Sequence, residues 1–250
     1  IAQTRGKIPL ADGGKMPGAR FFPEARLNFA QNVLRGDDDA LAVIFQPEIG
    51  PRVDWTMGEL RDFVSRFQAA LVAAGVGSGD RVAAMMPNLP QTMGAMLATA
   101  SLGAIWSSAS PDFGVEGVLD RFGQIEPKVF IACAGYTYAG KFIDTSGKVA
   151  QIAAGLPGVV ATVLVAHAGD ADAAVAKTMS GITLDNFLKP HKPGPIDYIQ
   201  LPFDHPLYIL FSSGTTGRPK CIVHSAGGIL LKHLEEHQLQ SDIKPGDRLL

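Results

Sequence analysis

From residue 81 onward the chain alternates short, uniformly apolar runs with stretches of helical period, and this alternation limits its folds more than any other feature. RVAAMM (81–86), AIWSS (104–108), KVFIAC (128–133), VVATVLVA (159–166) and LYILF (207–211) are strand-length and apolar on both faces. Between them, helices are expected from about Gln91 to Gly103, from about Val115 to Ile125, and from near Lys141; a last one runs from about Ser225 to His237. Strands buried on both faces and joined by helices imply right-handed crossovers and a mostly parallel sheet covered on each side. The expected fold class is therefore α/β.

Upstream of the alternation, LAVIF (41–45) reads as a strand, PEIGP as a turn and RVDWT as a short strand. Thr56 and Glu59 have capping-box spacing ahead of Leu60, Phe63, Val64, Phe67, Leu71 and Ala74, an apolar stripe at helical period that stops at Gly75. FFPEARLNFAQNVL predicts a further helix, with Pro23 near its start and Leu27, Ala30, Val33 and Leu34 on one face. AHAGDADAAVAKTMSG (166–181) has too little periodicity to assign, and the Pro-rich KPHKPGPIDYIQLPFDHP (189–206) reads as a surface connection. Residues 1–38 form a lead-in with a helical segment, and 39–250 the α/β domain. The chain starts at Ile1 and stops at DRLL, inside what reads as a strand, so a fragment is expected.

Charge and cysteine usage exclude several partners. A net charge of -2 with no Lys/Arg run gives no electrostatic footprint for nucleic acid or an anionic membrane. Cys133 and Cys221 have neither a disulfide framework nor metal spacing, which suits a reducing compartment. No stretch approaches the roughly 18 apolar residues of a membrane span, and no signal peptide opens the sequence. A cytoplasmic location is expected.

The strand LYILF runs directly into FSSGTTGRPK (211–220), a loop nearly devoid of bulk that ends on a lysine. Such backbone buries little and loses much conformational entropy on ordering, so packing does not explain it. An anion does: bare N–H groups converge on phosphate oxygens, hydroxyls add donors, and a lysine follows the charge. The P-loop pattern fails because the fifth residue after Gly214 is Pro219, and no glycine stands two places before Ser212 or Ser213 to make a nucleophile elbow. HLEEH (233–237) has the H-x-x-E-H spacing of inverted zinc peptidases, but Leu230, Leu231 and Leu234 already form the buried side of that helix, so its charged residues read as a solvated face and no metal ligand is assigned. GVGSGD (75–80) follows a helix and precedes a strand, the reverse of a dinucleotide fingerprint, and Trp106 reads as core.

FSSGTTGRPK resembles the phosphate-binding signature of the acyl-adenylate-forming, or AMP-binding, superfamily. RFFPEARLNFAQNVL (20–34), MMPNLPQTMGAMLATASLGAIWSSASPDFG (85–114), VLDRFGQIEPKV (118–129) and KCIVHSAGGILLKHLEEH (220–237) are similar to its acetoacetate–CoA ligase branch; SPDFG stands where acetyl-CoA synthetases carry a Gly-Gly-Phe type segment. The resemblance implies an enzyme that joins a carboxylic acid, here acetoacetate, to CoA through an acyl-AMP intermediate, with ATP, CoA and Mg²⁺ as substrates and ion. It implies a phosphate cradle of Gly214, Thr215, Thr216 and Gly217, hydroxyl donors from Ser212 and Ser213, and Lys220 as the mobile catalytic charge. In the related synthetases a basic residue in the segment matching GYTYAGK (135–141) meets the CoA phosphates, which nominates Lys141. An acetate or propionate ligase, or a non-catalytic nucleotide- or partner-binding module, remains open at this point.

Overall fold

The computed structural model describes residues 1–212 and 217–249. Its centre is a seven-stranded sheet in the order Gly181–Thr183, Ala161–Val165, Val129–Cys133, Arg81–Met85, Ile105–Ala109, Pro206–Phe211, Cys221–Ser225. The first six strands run parallel, and only Cys221–Ser225 is antiparallel to its neighbour. Alternation along each strand divides the interior into two cores. Val82, Ala84, Val129, Ile131, Val163 and Val165 face one side, while Ala83, Met85, Phe130, Ala132 and Leu164 face the other.

The first core is covered by Met57–Ala73, Pro90–Ser101 and Leu184–Leu188; the second by Val115–Ile125, Ser146–Ala154 and Ala171–Lys177. A register shift between Pro206 and Tyr208 inserts one residue, so Leu207 joins the first core and Ile209 the second.

Local chemistry accounts for the helix ends. Thr56 and Glu59 exchange the expected reciprocal bonds, 3.2 Å from the Glu59 N–H to the Thr56 hydroxyl and 2.7 Å from the Thr56 N–H to the Glu59 carboxylate. At the other end Gly75 takes φ +80°, and the Val76 and Gly75 N–H groups close on the Leu71 and Val72 carbonyls, a Schellman stop that a side chain at Gly75 would strain. Pro90 opens the next helix at its first position, where its missing N–H costs nothing.

Several sequence expectations need correction. The first helix spans only Phe29–Val33, because Arg26–Leu27 is an edge strand paired with Leu201–Pro202 and Asn28 caps the helix instead of lying within it. Val33 consequently points outward, 39 % exposed. No helix starts near Lys141: Gly135–Tyr138 and Lys141–Asp144 form a hairpin, turned by Ala139 and Gly140 at φ +50° and +73°, and the helix begins at Ser146. The unassigned stretch contains the helix Ala171–Lys177, capped by the Asp170 carboxylate on the Ala173 N–H. The Pro-rich connection is not simply superficial: Gln68 and Asn28 bind its backbone at Asp197 and Ile199.

Candidate functional site

Strands Arg81–Met85, Ile105–Ala109 and Pro206–Phe211 are adjacent and parallel, so the segments that leave them emerge at one edge of the sheet. The first leads to Pro90–Ser101 over one core and the second to Val115–Ile125 over the other. Connections that diverge to opposite faces leave a crevice between the strand ends, where ligands bind in open α/β sheets. A cavity of about 410 Å³ lies there, bordered by Met86, Pro87, Asn88, Ser110, Asp112 and Tyr136. A comparable hollow of about 450 Å³ between Ile1–Pro9 and Phe203 and Leu231 sits at the opposite, strand-start side, and apolar size alone does not make it the site.

The glycine-rich loop leaves the same edge. Its neck is a closed hairpin: the Ser212 N–H donates to the Lys220 carbonyl at 3.1 Å, and the Lys220 N–H donates to the Ser212 hydroxyl at 3.2 Å. Ser212 Oγ therefore spends one lone pair on the neck and keeps its proton to donate. Gly217 adopts φ +84°, a conformation that any other residue would strain, and among the described residues nothing crowds it. The Lys220 side chain is exposed. Ser213, Gly214, Thr215 and Thr216 lie outside the described residues.

Helix Val115–Ile125 supports the descending limb of the loop. Gln124 donates its amide to the Pro219 carbonyl at 2.9 Å, and Arg218 stands 3.9 Å from Asp120. Residues in this helix thus hold Arg218 and Pro219 of the glycine-rich loop and the crevice segment 110–114 on one rigid element. Sequence reasoning assigned Gln124 and Asp120 no role, since a polar helix face carries no signal of what lies across from it.

The crevice segment is itself fixed. Lys148 donates to the carbonyls of Pro111 and Phe113, Arg121 lies 4.4 Å over the Phe113 ring, and Ser110 donates to Asp112 at 3.0 Å. Tyr136 donates to the other Asp112 oxygen at 2.6 Å. The Tyr136 hydroxyl, followed by the Ser110 hydroxyl, holds the Asp112 carboxyl below its ordinary range; in turn Asp112, then burial, pushes Tyr136 up to about 12. Lys141 is exposed on the hairpin opposite Tyr138, which borders the cavity.

The other motifs fall away from this edge. GVGSGD turns into the start of Arg81–Met85, with the Gly77 N–H on Asp80 and Asp80 paired to Lys128 at 3.1 Å. Trp106 is 6 % exposed within the first core. His233 packs between Phe29 and His237, the two imidazoles stacked with centroids 5.7 Å apart, and Glu236 is engaged by Lys232 at 2.6 Å. After Leu234 the helix widens to a π-helix over Glu235–Gln240, which shifts the one-turn register that the H-x-x-E-H reading assumes. No helix among the described residues is long and apolar enough to cross a membrane.

Residues 29–250 match the family model described as AMP-binding enzyme. The chain is 56 % identical over 246 residues to the acetoacetyl-coenzyme A synthetase of Rhizobium meliloti (strain 1021), covering 98 % of this chain and 37 % of that protein. It is 43 % identical over 236 residues to the acetoacetyl-CoA synthetase of Macaca fascicularis, covering 92 % of this chain and 35 % of the relative. Among solved structures, acetoacetyl-CoA synthetase from Streptomyces lividans superposes with a TM-score of 0.91 at 40 % identity, covering all of this chain and 38 % of that one. The chain thus spans little more than a third of the length of the proteins it matches. With the family model covering nearly all of the α/β unit, the chain belongs to the AMP-binding enzyme family.

Proposed function

We propose that this chain is the N-terminal part of a cytoplasmic, ATP-dependent acid–thiol ligase that activates acetoacetate as acyl-AMP and transfers it to CoA, releasing AMP and pyrophosphate. Residues 1–38 serve as a lead-in, and 39–250 as the first part of the AMP-binding domain. The observation that carries this reading is the placement of the glycine-rich loop at the strand end beside the crevice, where nucleotide phosphates and a second substrate can meet. The choice of acetoacetate is supported by the named relatives.

A carboxylate oxygen attacks the α-phosphorus of ATP and the bond to pyrophosphate breaks, so charge grows on the leaving phosphates. Preorganised donors must neutralise it. Gly214, Thr215, Thr216 and Gly217 supply backbone N–H groups and hydroxyls, Ser212 and Ser213 supply further hydroxyls, and Lys220 moves with the departing charge. Mg²⁺ bound with ATP would supply further neutralisation of the leaving charge. In the second step the CoA thiol attacks the acyl carbon and AMP leaves, with Lys141 meeting the CoA phosphates.

The test is thioester formation by the full-length enzyme with ATP, CoA and a panel of acids. Acetoacetate should be used far better than acetate or propionate. A faster rate with acetate would move the enzyme to the acetyl-CoA branch, and no turnover with any acid would favour a non-catalytic module.

A further inference from the structure

One hydrogen bond joins the two walls of the crevice. Asp112 belongs to the segment that follows Ile105–Ala109, and Tyr136 to the hairpin that follows Val129–Cys133. The Tyr136 ring is buried in the first core while Asp112 is exposed, so the bond anchors a surface carboxylate to the interior. Asp112 cannot swing aside freely, because Ser110 holds its second oxygen and Lys148 holds the carbonyls on either side of it. At its far end the hairpin has a second tie, the Gly140 N–H on the Glu48 carboxylate at 2.6 Å. Between these two ties sit Tyr138 and Lys141, paired across the strands. A two-stranded hairpin of four residues a side is not stable by itself, so its anchors decide where its side chains stand.

We propose that Tyr136 and Asp112 are positioning residues that hold the hairpin at the spacing from segment 110–114 at which Lys141 meets the phosphates of the thiol substrate. This rests on the ligase function proposed above. Both residues would act through Lys141, by fixing the hairpin that carries it. Their protonation fits this role, because Tyr136 stays a donor and Asp112 an ionised acceptor throughout the neutral range. The consequence is selective, since loosening the hairpin should weaken capture of the nucleotide end of CoA and leave acid activation alone.

The experiment compares the full-length wild type with Tyr136→Phe and Asp112→Ala. Acetoacetate-dependent exchange of pyrophosphate into ATP reports the first step by itself. Thioester formation is then measured with CoA and with pantetheine, which carries the same thiol without the nucleotide phosphates. Both variants should raise KM for CoA about tenfold or more with little change in kcat, the scale expected for one charge-assisted hydrogen bond, and should affect exchange much less. KM for pantetheine should not move. An unchanged KM for CoA, an equal rise for pantetheine, or a parallel loss of exchange would each overturn the proposal. A wild type without acetoacetate-dependent exchange would instead overturn the ligase function, and this inference with it. Asp112→Ala alters only an exposed side chain, so it retains the test if Tyr136→Phe folds poorly.

Discussion

Replacing Asn28 should reveal how the segment leading to the glycine-rich loop is held. Asn28 is fully buried; its amide faces the carbonyls of Ala100, Ser101 and Ile199 at 3.2, 3.0 and 2.9 Å, and its oxygen caps the helix Phe29–Val33 through the Gln31 N–H. One side chain thereby joins the first helix, the end of Pro90–Ser101 and the connection that enters Pro206–Phe211. Asn28→Ala loses a helix cap worth about 1 kcal/mol and two donated bonds worth about 1 kcal/mol each, so a loss of about 3 kcal/mol is expected. Asn28→Asp separates these contributions. It keeps the capping oxygen and the shape but turns a carboxylate toward three carbonyl oxygens, which favours its neutral form and raises its folded pKa above the ordinary value of about 3.9. A raised folded pKa stabilises below the unfolded value and loses that contribution as pH rises, so the deficit against wild type should be smallest near pH 4 and widen toward neutrality. At about 1.4 kcal/mol per pKa unit, a rise of about two units costs about 3 kcal/mol at pH 7, more than the return of about 0.3–1 kcal/mol from a negative N-cap through the helix dipole. Urea unfolding followed by tryptophan fluorescence at pH 5 and pH 7 measures both variants. An Asn28→Asp protein within about 0.5 kcal/mol of wild type at pH 7, or a deficit independent of pH, would refute the reasoning.

Two further outcomes test the site. If Lys220 follows the departing charge as proposed, Lys220→Ala in the full-length enzyme should slow acetoacetate-dependent pyrophosphate release by about 10²–10³ while weakening ATP binding less; equal rates, with a melt showing a folded variant, would remove it from the mechanism. His233→Ala should leave activity within about twofold of wild type and metal analysis should find no stoichiometric zinc, since His233 contacts Phe29 and His237 and Glu236 is held by Lys232; zinc that disappears in the variant would restore the metal reading.

Sequence determined what depends on neighbours along the chain. Periodicity and burial run together in Arg81–Met85, Val129–Cys133 and Ala161–Val165, so the parallel sheet and its covering helices were legible, as was the capping box at Thr56 and Glu59. The glycine-rich loop reads as an anion cradle from its composition, and that role is a proposal, since residues 213–216 lie outside the described residues. What the sequence left open was set by partners far away in the chain. Whether Arg26–Leu27 is helix or strand depends on Leu201–Pro202, and whether Lys141 begins a helix depends on pairing with Tyr138 across a turn built by two residues at positive φ. The site's scaffold is of the same kind, since Gln124 reaches Pro219 and Asp112 reaches Tyr136 only once the crossovers have folded. Backbone preference and hydrophobic period are local energies and can be read one segment at a time, whereas strand pairing and side-chain bonds across a crevice exist only when loop closure has brought distant segments together; tertiary structure alone decided those.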